Sequence, residues 1–215
     1  MKRLLRNLFC GVGFCLLLLA FAEAQEVGLK VAHIDGVPVP SATGPIYSNC
    51  GPTCSTYNTT EGWYVSGTGF SSKDGGGETI AMAFKTKKAA SFTKALTPLA
   101  ITTQNGGASS GKVTGMLLKD DAGKPGAPIA TLVQVGTIPD NAFAVIEYKP
   151  KKPITLKAKT QYWLCLEETT ADVQASWALS SPPETKSPQY YNFVASCKAP
   201  MKTSANDIAP AYAVF

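Results

Sequence analysis

The sequence predicts an all-β fold, an antiparallel two-sheet β-sandwich, and three observations carry that expectation. From Gly111 to Glu168, short apolar runs alternate with turns rich in Gly, Pro, Asp and Asn, and no helical interval separates them. Several runs are apolar or small on both faces, as strands between two layers are. Outside this stretch, further runs of the same length follow the same punctuation.

The first 24 residues read as a targeting segment. Lys2, Arg3 and Arg6 form a positive start, Leu8 to Phe21 is apolar, and Ala22-Glu23-Ala24 offers a cleavage site before Gln25. The apolar run is about 14 residues, short of the roughly 20 that span a bilayer. No later segment is long and apolar enough to span one. Export to the cell surface, the periplasm or the medium is therefore expected. Formal charge is +5 for the whole chain, and removing Lys2, Arg3, Arg6 and Glu23 leaves +3. All basic residues after residue 24 are Lys, apart from His33; nucleic-acid binding normally uses Arg forks, so such a partner is not expected. The lysines cluster only at Lys85/Lys87/Lys88 and Lys149/Lys151/Lys152, where they read as solvated turns or guarded strand edges.

Residues 25–60 form an N-terminal strand and loop segment expected to drape over the main domain at 61–215. Val27 to Ile34 suits a strand; Val37-Pro-Val-Pro40 and Gly44-Pro45 force extended or turned chain. Gly62 to Ser66 then opens the regular part. Ser71 to Glu78 is a Gly-rich hairpin connection, without the Gly-Lys-Ser/Thr ending of a phosphate loop. Strands are expected at Thr79–Lys85, at Phe92–Thr103 with a break near Pro98, and at Val113–Leu118, with Val113, Gly115 and Leu117 on one face. A long turn is expected from Lys119 to Pro128. Further strands fall at Ile129–Val135, Phe143–Tyr148, Ile154–Ala158, Gln161–Glu167, Gln174–Ser180, Gln189–Ala195 and Ala211–Phe215.

Within this series lie Ile80-Ala-Met-Ala-Phe84, Leu96 to Thr102, Gly111 to Leu118, the Gly-Lys-Pro-Gly-Ala-Pro turn followed by Ala-Thr-Leu132, and Thr160-Gln-Tyr-Trp-Leu-Cys-Leu166. In these motifs residues 60–215 resemble the secreted bacterial modules called choice-of-anchor domains, type R in particular. The chain departs in placing Cys165 where an aliphatic residue is usual, and in showing no anchor segment after Phe215. The resemblance implies an extracellular, jelly-roll-like sandwich and implies no enzyme chemistry.

The residues that carry chemistry are few. His33 is the lone histidine, and no catalytic role is expected of it. Carboxylates for a glycan-directed hydrolase would be Asp120/Asp121, Glu167/Glu168 or Glu147, but adjacent strand residues point to opposite faces. Asp74, Glu78, Asp120 and Asp121 sit in or beside loops and are the weak candidates for calcium; no cofactor or zinc site is expected. Cys50, Cys54, Cys165 and Cys197 make an even count suited to oxidation after export. They allow three pairings, of which Cys50–Cys54 with Cys165–Cys197 is favoured.

Trp63, Tyr64, Trp177, Tyr190 and Tyr191 are the candidates to stack on sugar rings, with Gln189 and Asn192 placed to help. Alternation along a strand should aim one member of each aromatic pair outward. The expected role is a non-catalytic extracellular binding or surface module, its partner a polysaccharide or another cell-surface component. A glycan hydrolase and a protein–protein adhesion module are the rival readings.

Overall fold

The computed structural model describes residues 44–72, 75–102, 111–168, 170–204 and 207–215. The targeting segment, the strand at Val27–Ile34, His33 and Asp74 lie outside the described residues. No helix occurs among those described. Along the chain the strands are β1 (Tyr47–Ser48), β2 (Tyr57–Ser72), β3 (Gly75–Lys85), β4 (Ala90–Phe92), β5 (Ala95–Ile101), β6 (Val113–Asp121) and β7 (Lys124–Val135). They continue with β8 (Ala144–Pro150), β9 (Ile154–Leu156), β10 (Gln161–Glu168), β11 (Gln174–Ser180), β12 (Gln189–Asn192), β13 (Lys202–Ser204) and β14 (Ala213–Val214).

The main sheet corrects the sandwich expectation. Its strands run β5-β11-β2-β3-β10-β6-β7-β8, and β8 pairs back onto β5 from Ala95↔Tyr148 to Leu99↔Ala144. The result is a closed eight-stranded antiparallel β-barrel, neither a two-sheet sandwich nor a jelly roll. The apolar second faces that suggested another layer have a different explanation. Ala81, Ala83, Met116, Leu118, Trp163 and Cys165 point out of the barrel and are buried together with Cys197, Tyr190 and Met201, which lie beyond the barrel strands. Buried Leu96 and half-buried Val145 likewise pack with Cys50, Cys54, Tyr57, Ala211, Ala213 and Phe215. The opposite faces of the same strands, with Ile80, Met82, Leu117, Leu164 and Trp177, form the main core. On β6 the split follows the expected alternation, Val113 and Leu117 in the main core and Met116 and Leu118 outside it.

The barrel is not uniform around its circumference. β2 serves two neighbours in succession. Its first half lies beside β11, while it meets β3 only at Ser66↔Glu78 and near the hairpin tip. Beyond Glu78 the side of β3 vacated by β2 is taken by β12, from Thr79↔Asn192 to Met82↔Gln189. β5 shows the same substitution: Leu99–Ile101 pair with β11, but Ala95–Leu96 pair with β14. Pro98 falls between these two paired stretches, so its missing N–H leaves no hole in the ladder on that side. The break expected at Pro98 occurs earlier, at Thr93–Lys94, between β4 and β5.

The long turn expected at Lys119–Pro128 is instead a two-residue hairpin. Asp121 pairs with Lys124, and Ala122 (φ 52°) and Gly123 (φ 84°) both take left-handed conformations, as a type I′ turn requires. Pro125 and Pro128 are accommodated at register shifts of β7 against β6. An L-residue with a Cβ is costly at Ala122, whereas Asn tolerates that conformation. Ala122→Asn should therefore raise unfolding free energy by about 1 kcal/mol, measured by urea titration; an unchanged midpoint would contradict the turn assignment.

Candidate functional site: a tryptophan-floored groove

Trp63 on β2 and Trp177 on β11 are direct cross-strand partners, so their indoles lie on one face. Trp177 is fully buried; its Nε1 donates to the Ala211 carbonyl at 2.7 Å and its ring meets Tyr212 edge-on at 6.3 Å. Trp63 is half-buried, and its Nε1 donates to the Ile208 carbonyl at 2.9 Å. The two indoles thus hold one stretch of chain, residues 208–212, against the β2–β11 pair.

The outer edge of Trp63 opens onto a groove of ≈ 390 Å³ lined by Gly62, Leu179, Asp207 and Ile208. Gly62 is required by close approach: a Cβ there would come within 2.3 Å of Ser176 Oγ and 2.6 Å of the Trp177 carbonyl. Asp207, exposed, accepts a hydrogen bond from the Ser204 hydroxyl. The groove therefore offers a flat ring, two aliphatic side chains and one carboxylate.

The other predicted rings are dispersed. Tyr64 points to the opposite face of β2 and is 42% exposed. Tyr190 is half-buried edge-on against Trp163, centroids 5.2 Å apart, in the outer cluster. Tyr191 packs toward the main core and meets Phe193 edge-on at 5.3 Å. Gln189 and Asn192 are buried; the Asn192 side chain donates to the Ser196 carbonyl and accepts from Val194 N, shaping its own loop. Of the five rings, Trp63 is the one that lines this groove.

The carboxylates have local partners. Partial desolvation alone would raise the Asp120 carboxyl, but donors from Gly123 N, Trp163 Nε1 and Gln161 Nε2 outweigh it and hold it below the ordinary range. Glu167 accepts from Cys197 N and Glu168 from Thr170 N. Glu147 is buried between Lys94 and Lys149. Among the described residues no cluster of three His, Cys, Asp or Glu is placed to hold a metal ion. Glu78, one of the calcium candidates, is pushed up to about 7 by desolvation. A carboxyl raised in the folded state holds its proton after the unfolded chain has released it. Glu78 thus contributes a loss of stability as pH climbs from about 4.5 to about 7. Glu78→Gln should flatten that part of a stability-versus-pH curve; an unaltered slope in urea titrations across the window would contradict it.

A second groove, of ≈ 510 Å³, lies between β7 and the β8–β9 turn, lined by Ile129, Ala130, Thr131, Pro150, Lys151, Lys152 and Ile154. Its signal in the sequence was the cluster Lys149/Lys151/Lys152.

Both favoured disulfides are present, Cys50–Cys54 and Cys165–Cys197. All four cysteines are buried, and the bonds point to an oxidising compartment. No helix among the described residues is long and apolar enough to cross a membrane. In comparison with known proteins, the chain matches no family model, no curated protein and no solved structure.

Proposed function

We propose that this chain is an exported, non-catalytic binding module that takes a carbohydrate in the Trp63 groove. The observation that carries the reading is the half-buried indole anchored by its bond to the Ile208 carbonyl, in a groove it shares with aliphatic Leu179 and Ile208 and with exposed Asp207. A sugar ring packs its C–H face on such an indole, and a carboxylate accepts from its hydroxyls. The two disulfides support an extracellular setting. The motif resemblance to choice-of-anchor modules supports the setting too, but not the architecture, because the barrel departs from the sandwich it implied.

The test is co-sedimentation of the oxidised protein with a panel of insoluble polysaccharides, alongside Trp63→Phe and Asp207→Ala. Retention by one polysaccharide, weakened by both substitutions at unchanged melting temperature, is the expected result. Retention that survives both would move the site elsewhere, and no retention on any polymer would end the sugar reading. Release of reducing sugar from the panel would favour the hydrolase alternative.

A further inference from the structure

Two segments, 85–94 and 149–160, hold nine lysines and no acidic residue. Far apart in sequence, they are neighbours in the fold. β4 and β9 pair as a separate two-stranded ladder, Ala90↔Leu156, Ser91↔Thr155 and Phe92↔Ile154, anchored by buried Phe92 and Leu156. Thr86 locks the flanking turns: its buried hydroxyl donates to the Lys157 carbonyl at 2.5 Å, and its backbone N–H donates to the Thr160 carbonyl at 3.1 Å. Lys94 and Lys149 spend their charge on Glu147. The other seven, Lys85, Lys87, Lys88, Lys151, Lys152, Lys157 and Lys159, are exposed, and none has an ion pair among the described residues.

Lysines outnumber carboxylates at this end of the barrel, toward which Glu61 at the start of β2, Glu184 after β11 and Asp207 also lie. The β6–β7 hairpin reaches it through Tyr162↔Lys119 and adds Lys119 and Lys124 against Asp120 and Asp121, with Asp120 engaged by Trp163, Gln161 and Gly123. The carboxylates of Glu78, Asp140, Glu167, Glu168 and Asp172 belong to the opposite strand ends. Seven like charges on one rigid support repel one another, and a polyanion relieves that repulsion. Isolated lysines are ordinary solvated turns; lysines gathered by a ladder, beside a groove floored by Ile129, Pro150 and Ile154 and edged by Lys151 and Lys152, form a surface.

We infer that this lysine-bearing end docks an acidic polysaccharide, one carrying carboxylates or sulfates along its length. Lysine suits it: mobile point charges meet anions at irregular spacing without the planar fork that nucleic-acid recognition exploits. A lipid bilayer fits less well, because the turns present no large apolar side chain to insert. Among the described residues the exposed large hydrophobics are Tyr64, Val133, Val135 and Val194, none of them in these segments. The inference does not depend on the Trp63 groove.

The experiment is affinity electrophoresis of the oxidised protein through gels containing polygalacturonate, with dextran as the neutral polymer. One variant carries Lys87→Gln, Lys151→Gln and Lys152→Gln. A second, matched in charge, carries Lys112→Gln, Lys198→Gln and Lys202→Gln. Melting temperatures confirm that both fold. The wild type should be retarded by polygalacturonate and not by dextran, and added salt should abolish the effect. The first variant should bind at least about tenfold more weakly and the second within about twofold, while Trp63→Phe changes nothing. Equal weakening of the two variants would reduce the effect to net charge. Absence of retardation at low salt, or equal affinity for vesicles rich in an anionic phospholipid, would overturn the inference.

Discussion

Trp177→Ala should lower the unfolding free energy by about 3–5 kcal/mol, the range for removing a fully buried large aromatic. The side chain is wholly buried, packs edge-on to Tyr212 and donates to the Ala211 carbonyl. Truncation leaves a void inside the barrel and an interior carbonyl without its donor. Against a typical total of about 5–15 kcal/mol, that is a large fraction. Trp177→Phe keeps much of the packing and should cost less, though the orphaned Ala211 carbonyl remains. Tyr64→Ala, on the solvent side of the same sheet region, should stay within about 0.5 kcal/mol. Urea unfolding followed by far-ultraviolet circular dichroism measures all three. A loss below about 1 kcal/mol for Trp177→Ala would remove this indole from the structural account of the barrel.

The second large effect separates the two disulfides. Cys165–Cys197 spans 32 residues and Cys50–Cys54 spans four. On the chain-entropy account the longer loop is worth about 4 kcal/mol and the shorter about 2. Paired replacement Cys165→Ala with Cys197→Ala should therefore cost about twice as much as Cys50→Ala with Cys54→Ala. Non-reducing peptide mapping establishes the pairing, and urea titration of the two double variants gives the energies. Equal losses would contradict the loop-length argument.

Much of the strand pattern could be read from residue alternation. On β6, Val113 and Leu117 separate from Met116 and Leu118 as a period of two demands, and Trp63 and Tyr64 divide into an inward and an outward ring as adjacent strand residues must. Closure could not be read, because β5–β8 pairing joins residues some fifty positions apart and leaves no local mark. The apolar outer faces of β3, β6 and β10 were read as contact with a second sheet, but chain beyond the barrel strands, around Tyr190 and Cys197, buries them. Alternation cannot say what covers a face.

Proline misled in one place. Pro125 and Pro128 suggested a ten-residue turn, whereas Ala122-Gly123 alone makes the reversal and the prolines sit at register shifts. Trp177 is among the rings expected to stack on a sugar. Its own face, however, turns into the main core. The lysine clusters were visible as two separate runs, and only the β4–β9 ladder joins them.

The seam held by Trp63 and Trp177 also fixes an order of events during synthesis. β2 and β11 are made long before the stretch that their indoles grip, and β5 waits for β14 to cover Ala95 and Leu96. Until residues 208–214 emerge, both tryptophans lack their acceptors and one side of the barrel stays open.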